Sequence, residues 1–111
     1  MNIKELIEKF ELKVLSELHD SGRNVSGGYS GDLLSDVMAN SKKDNVWITM
    51  QTHLNIIAVA SLKELSAIII VLNREVDKDT LDKANEEKIM VLSTNLNSYQ
   101  ISGKIFESGI K

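Results

Sequence analysis

The sequence predicts a single α/β domain spanning residues 1–111, in which a mostly parallel sheet built from βαβ units carries helices on both faces. From residue 46 onward, short apolar runs alternate with amphipathic helical patterns, as expected of right-handed βαβ units. The run at 67–72 is apolar throughout and largely β-branched, which indicates a strand covered on both faces. The chain contains no proline, and its length suits one domain.

Four elements are predicted before residue 30. Apolar residues recur at helical spacing over residues 2–10, and a short apolar run at 12–15 predicts a strand. Residues 19–24 are dense in turn-forming residues and predict a hairpin-like connection. A second short strand over 24–29 follows, and the glycines at 27 and 28 interrupt it.

The remaining elements alternate between helices and strands. Ser30 is the predicted N-cap of a helix over about 31–39, whose inward face consists of Leu33, Leu34, Val37 and Met38. A polar turn at 40–45 leads into the rest of the chain. The elements predicted there are a strand at 46–50, a helix at 55–65 with an inward face that includes Leu62, a strand at 67–72, a helix capped by Asp77 and running to about 88, a strand at 89–92, and a helix from Asn95 or Asn97 through 106, ended by Gly109.

The composition excludes several classes of protein. A net charge of −3, with Lys and Glu interleaved, has the wrong sign for neutralising phosphate backbones, so we expect no nucleic-acid partner. The chain has no cysteine, which excludes thiol catalysis and thiolate metal sites. The charged N-terminal residues differ from a signal peptide, and no apolar run is long enough to span a bilayer. We therefore expect a cytoplasmic protein without a membrane partner.

Catalytic machinery is not recognisable in the sequence. Neither histidine belongs to a metal-binding pair, and no nucleophile elbow or Walker-type loop occurs. His19 is expected to be an exposed turn residue, and His53, at a helix start, has either a structural or a functional role. Asp32 and Asp36 lie four residues apart on a predicted helix, where they suit either acid–base or Mg²⁺ chemistry or the helix dipole. We expect no enzyme activity, catalytic residue, cofactor or metal.

Two groups of residues are candidates for ligand binding. Gly27 and Gly28, shortly before a predicted helix, either turn backbone N–H groups towards an anion, with Arg23 as counter-charge, or form a turn that needs positive φ. Ligands of parallel sheets bind at the carboxyl ends of the strands. The polar residues predicted there are Thr52, His53, Asn73, Arg74, Ser93 and Thr94. These residues form either a ligand-binding crown or a set of helix N-caps.

The segment 23–28, Arg-Asn-Val-Ser-Gly-Gly, followed by Asp-Leu-Leu-Ser-Asp-Val-Met at 32–38, resembles the DRTGG family of small regulatory domains. Arg23, Gly27 and Gly28 match the motif for which the family is named, whereas Asn24 and Ser26 depart from it. The stretches 47–53 and 59–65 are also similar to stand-alone members, so the resemblance covers nearly the whole chain.

The resemblance implies a non-catalytic α/β module. Domains of this family occur alone or beside CBS domains in regulated pyrophosphatases and phosphotransacetylase-like proteins, and they are similar in fold to the non-catalytic N-terminal domain of HPr kinase. Dimerisation is a recurrent role in the family, and no ligand is common to it.

Two hypotheses of function follow. The first is a regulatory or interaction domain that forms a homodimer and docks on a partner enzyme, with the strand of Trp47 or an apolar edge as the contact surface. The second is a sensor that binds a nucleotide or phosphorylated metabolite at the crown of strand ends.

Overall fold

The computed structural model describes all residues from Met1 to Lys111. Its five helices are α1 (Ile3–Phe10), α2 (Leu34–Asn40), α3 (Asn55–Leu62), α4 (Lys78–Glu87) and α5 (Ser98–Glu107). Its five strands are β1 (Lys13–Val14), β2 (Gly27–Ser30), β3 (Asn45–Thr49), β4 (Ala67–Ile70) and β5 (Val91–Ser93). The predicted α/β class is confirmed. None of the helices is long and apolar enough to cross a lipid bilayer.

The sheet has the strand order β1-β5-β4-β3-β2. The strands β2 to β5 are parallel and adjacent in chain order, which confirms the predicted βαβ units. β1 is antiparallel and pairs with β5, with Lys13 opposite Ser93. The predicted hairpin-like connection at 19–24 is wrong, because β1 and β2 lie at opposite edges of the sheet and the segment between them must cross from one edge to the other.

Helices cover both faces of the sheet. One core cluster joins α1 and α5 to the sheet, and the other joins α2, α3 and α4 to its opposite face. Side chains of β4 alternate between the two clusters: Ile69 belongs to the first, and Ile68 and Ile70 belong to the second. This period of two, with both faces covered, is why the strand is apolar at every position.

The helix predicted from residue 31 begins only at Leu34. Ser30 is a strand residue of β2 rather than an N-cap. The Asp32 carboxylate accepts hydrogen bonds from the Thr49 hydroxyl and the Met50 N–H, both at 2.8 Å, so it ties this segment to the end of β3. As a result the helix is shorter than predicted, and of its predicted inward face only Val37 is fully buried.

Three further element boundaries differ from the predictions. The glycine pair lies within β2 and does not interrupt it. α3 ends at Leu62, which is 71% exposed instead of facing inward, and Glu64 then turns the chain with a φ of 53°. β5 begins at Val91 rather than at residue 89. The N-terminal ends of α1 and α5 lie closer to their predicted positions, since Asn2 and Asn97 form complete capping boxes there.

Candidate functional site

A groove lies at the carboxyl ends of β4 and β5, and it has two lobes of about 460 and 510 Å³. The first lobe is lined by Lys9, Phe10, Glu11, Lys13, Asn73, Ser93, Thr94, Asn95, Leu96 and Lys104. The second lobe is lined by Lys13, Leu15, Asn73, Arg74, Glu75, Val76, Leu81 and Ser93. Lys13, Asn73 and Ser93 line both lobes and form the seam between them.

The connections of the sheet explain why the groove forms between these two strands. The chain leaves β4 towards α4 on one face of the sheet, and it leaves β5 towards α5 on the other face. Diverging connections of neighbouring parallel strands open a crevice, which is where open α/β sheets bind ligands. β1 closes the outer side, because its antiparallel pairing brings Lys13 opposite Ser93.

The β4–α4 turn is fastened to the β5–α5 connection by backbone hydrogen bonds. The N–H of Leu72 donates to Leu96 O at 3.0 Å, and the N–H of Asn73 donates to Thr94 O at 2.9 Å. Leu72 and Asn73 both have positive φ, 59° and 47°, as in a type I′ turn. Asn tolerates this conformation, whereas a leucine there is strained. Strained residues of this kind cluster at ligand sites.

Several polar side chains of the groove have no hydrogen-bonding partner within the chain, although the Thr94 hydroxyl accepts a hydrogen bond from the N–H of Leu96 at 3.2 Å. Lys13, Arg74 and Ser93 take part in no side-chain hydrogen bond or ion pair, although Ser93 is only 4% exposed. The two lobes together contain four cationic and two acidic side chains, a net charge of +2. The whole chain carries −3. The groove therefore concentrates positive charge on an otherwise acidic protein, which favours anions.

Four of the nine predicted binding residues line this groove: Asn73, Arg74, Ser93 and Thr94. Its lysines, Lys9, Lys13 and Lys104, were missed. They come from α1, β1 and α5, and in the sequence each looks like an ordinary solvated residue of an amphipathic element. The three lysines come together only because β1 pairs antiparallel with β5 and because α5 packs on the same face of the sheet as α1. No local sequence pattern indicates either feature.

The fold has a close counterpart among solved structures. A crystal structure of the CBS and DRTGG domains of the regulatory region of Clostridium perfringens pyrophosphatase, complexed with its activator diadenosine tetraphosphate, superposes with a TM-score of 0.70 at 13% sequence identity. The match covers 96% of this chain and 46% of that one, so this chain spans about half the length of that regulatory region. The fold is DRTGG-like. No protein-family model matches the sequence, and no curated protein matches it.

On this DRTGG-like fold, Thr52 and His53 lie outside the groove, in the connection between β3 and α3. Thr52 is buried, and its carbonyl accepts a hydrogen bond from the Thr80 hydroxyl at 2.9 Å. Nδ1 of His53 lies 3.0 Å from the Asp77 carboxylate, on the exposed surface. Both contacts join the start of α3 to the start of α4. Thr52 and His53 therefore lie at a different place on the molecule from the four predicted residues that line the groove.

Arg23 lies at the amino ends of the strands and holds two loops together. Its Nε donates to the Asp44 carboxylate at 2.9 Å, and its Nη2 donates to the carbonyl of Glu64 at 2.6 Å. Asp44 and Glu64 both have positive φ. The arginine therefore bridges two tight turns of the DRTGG-like fold through its Nε and Nη2 atoms.

Gly27 and Gly28 are strand residues paired with Asn45 and Val46. Neither has positive φ, so the prediction of a turn that needs it is wrong. A Cβ on Gly28 would make only an ordinary van der Waals contact, 3.7 Å from the Val46 side chain. A Cβ on Gly27 would lie 3.1 Å from the side-chain nitrogen of Asn45, which is closer than usual. The close packing of β2 against β3 therefore explains why a residue without a side chain is found at position 27. α2 begins only at Leu34, well beyond the pair.

The remaining titratable candidates have structural surroundings. Asp32 lies outside α2, so it does not share a helical face with Asp36 as predicted. Asp36 accepts a hydrogen bond of 2.6 Å from the Tyr29 hydroxyl, and this bond raises the pKa of Tyr29 above its usual value. His19 is half-buried, and its Nε2 is enclosed, contrary to the expectation of an exposed turn residue. No three acidic or histidine side chains converge as a metal site would require.

Trp47 does not supply a contact surface, contrary to one of the predictions. Its side chain is fully buried between the sheet and the helices α2 and α3, and its indole N–H donates to the carbonyl of Gly31 at 2.9 Å. The exposed apolar side chains lie elsewhere. Tyr99 and Phe106, on the outer side of α5, are 89% and 57% exposed.

Proposed function

We propose that this chain is a non-catalytic regulatory module that senses a nucleotide or phosphorylated metabolite in the groove between β4 and β5. The observation that carries the proposal is the set of unpaired cations that line one strand-end crevice together with Ser93. Lysine and arginine without internal partners have their full hydrogen-bonding capacity available for an anion.

The solved structure of similar fold supports a regulatory role. That protein is the regulatory region of a pyrophosphatase, and it was crystallised with a dinucleotide activator. The groove of this chain has the size of a small-molecule site. Its polar side chains converge without a nucleophile–base pair, which fits binding without chemistry.

Thermal unfolding in the presence of phosphorylated compounds tests the proposal. A ligand at about 100 times its dissociation constant adds roughly 2.7 kcal/mol to the free energy of unfolding, which raises Tm by several degrees. Lys13→Gln removes a cation from the seam and should abolish most of this shift. Lys42→Gln is the matched control, because Lys42 is exposed and lies in the connection before β3. Equal shifts in both variants would place the ligand elsewhere, and no shift with any phosphorylated compound would refute the sensor.

Self-association is a second candidate function, favoured by one surface. Tyr99 and Phe106 lie two turns apart on α5, and with Ser30 of the edge strand β2 they line an open depression of about 480 Å³. An edge strand leaves backbone N–H and C=O groups free. A second copy provides the same edge, so two β2 strands can pair about a two-fold axis while the aromatic side chains pack beside them.

Sedimentation of the chain and of a Tyr99→Ser, Phe106→Ser variant tests this surface. A homodimer predicts that the wild-type chain sediments as two copies and the variant as one. Leu62→Ser is the control, since Leu62 is 71% exposed on a different face, and it should leave the dimer intact. A monomeric wild-type chain would leave a different protein, such as a regulated enzyme, as the occupant of this surface.

A further inference from the structure

The two lobes of the groove differ in chemistry. In the first lobe, Lys9, Lys13 and Lys104 surround a mostly polar surface. In the second lobe, Leu15, Val76 and Leu81 provide an apolar lining, and Arg74 lines the same lobe. Lysine ammonium groups suit phosphate as point charges, whereas an arginine plane stacks on flat rings. One lobe is therefore suited to an anion and the other to a ring.

Resting on the proposed sensor function, we infer that the ligand is a nucleoside phosphate whose phosphate lies in the first lobe and whose base lies in the second. Lys13, Asn73 and Ser93 line both lobes, so a single molecule that fills both must pass these three side chains. They offer hydrogen-bond donors and acceptors at the place where a sugar would join the two ends.

The charge of the groove agrees with a single phosphate group. Its net charge of +2 matches the roughly −1.5 to −2 of a phosphate monoester at neutral pH. A further cationic depression of about 280 Å³, which includes Lys9 and Lys104, continues outward between α1 and α5. Its only additional charged residue is Glu107, so it adds no positive charge for a second phosphate. The groove has a net positive charge, whereas the whole chain has a net charge of −3, which favours a mononucleotide over a nucleic-acid strand.

The test measures the affinity of the full chain by calorimetry for adenosine 5′-monophosphate, ribose 5-phosphate and adenosine. The nucleotide should bind about tenfold or more tightly than either part alone, since each part fills one lobe. Lys104→Gln should weaken both phosphorylated compounds and leave adenosine unchanged. Arg74→Gln should weaken the nucleotide and adenosine and leave ribose 5-phosphate unchanged. Both side chains are exposed, so neither variant removes core packing.

The outcomes separate this inference from the sensor proposal. If the nucleotide and ribose 5-phosphate bind equally, and Arg74→Gln affects neither, the second lobe binds no base and the sensor recognises phosphate alone. If adenosine binds as tightly as the nucleotide, the first lobe does not bind phosphate. If none of these compounds binds, while another phosphorylated metabolite stabilises the chain through Lys13, the sensor survives and the nucleoside assignment fails.

Discussion

Replacing Arg23 distinguishes a structural arginine from a ligand-binding one. Arg23→Met keeps most of the apolar stem and removes the guanidinium, so it eliminates the hydrogen bonds to Asp44 at 2.9 Å and to Glu64 O at 2.6 Å. The side chains of Arg23 and Asp44 are each 29% exposed, so their ion pair is partly screened. A pair of this kind contributes about 1 kcal/mol, and the charged hydrogen bond to the carbonyl contributes about as much.

We therefore expect Arg23→Met to lower the free energy of unfolding by about 2 kcal/mol, which lowers the Tm of a domain of this size by roughly 8 °C. Denaturant unfolding followed by the fluorescence of Trp47, the single and fully buried tryptophan, measures the loss directly. Lys43→Met is the control, because the Lys43–Glu64 pair is 4.0 Å long and mostly exposed. Its removal should cost less than about 0.5 kcal/mol.

A double-mutant cycle of Arg23→Met with Asp44→Asn tests the pairing itself. A coupling energy near 1 kcal/mol is expected for the two side chains in contact. A loss of stability below about 0.5 kcal/mol for Arg23→Met would refute the structural role. If the same variant also lost its response to phosphorylated ligands, Arg23 would be the counter-charge of an anion site after all.

Three other perturbations have definite expected outcomes. Gly27→Ala should destabilise the chain by about 1 kcal/mol in thermal unfolding, because the new Cβ meets the Asn45 side chain at 3.1 Å; Gly28→Ala, with its nearest neighbour at 3.7 Å, should be neutral or slightly stabilising. Leu72→Asn should raise the free energy of unfolding by about 0.5–1 kcal/mol, because Asn tolerates the φ of 59° at this half-exposed position, and a lower stability would show that the leucine makes a contact that outweighs its strain. The pKa of Tyr29 is higher in the folded chain than its unfolded value of about 10, so the protonated hydroxyl stabilises the folded state. This stabilisation is fully present at pH values below the unfolded pKa, and it is lost as the pH rises through the folded pKa. Tyr29→Phe should accordingly lose less stability than the wild type between about pH 8 and pH 11 in denaturant unfolding, and identical losses would contradict the effect of the hydrogen bond to Asp36.

The sequence predicted the fold class and most elements because those depend on local periodicity. The strand β4 and the helices α4 and α5 were predicted within a few residues, because apolar spacing determines them. Asn97 caps α5 with its side chain, whereas Asp77 lies at the N-cap position of α4 without a side-chain capping hydrogen bond. The helix after Ser30 was predicted too early, because the Asp32 side chain bonds to the end of β3 and competes with the helix start. That contact joins residues 17 positions apart, and no local pattern contains it.

The residues that line the groove were predicted only where the end of a single strand was enough to identify them. Asn73, Arg74, Ser93 and Thr94 follow directly from the rule that ligands lie at the carboxyl ends of parallel strands. The same rule does not say which neighbouring strands have diverging connections, so Thr52 and His53 were grouped with residues that lie in another part of the surface. The glycines of the motif were predicted to form either an anion site with Arg23 or a turn, whereas Arg23 joins two loops and Gly27 packs closely against the neighbouring strand.

The position of the groove depends on the last helix of the chain, α5, which follows the final strand. The helices α2, α3 and α4 all lie on one face because each connects two adjacent parallel strands in the same direction. α5 follows the final parallel strand and packs on the other face, so the divergence of connections occurs beside β5 and nowhere else among the parallel strands. β1 then adds to the open side of β5 in the antiparallel direction, and its first residue, Lys13, meets the carboxyl end of β5. A parallel β1 would bring its opposite end to this place. The antiparallel edge strand therefore does more than complete the sheet, because it places a cation at the seam of the groove and the end of α1 against the first lobe.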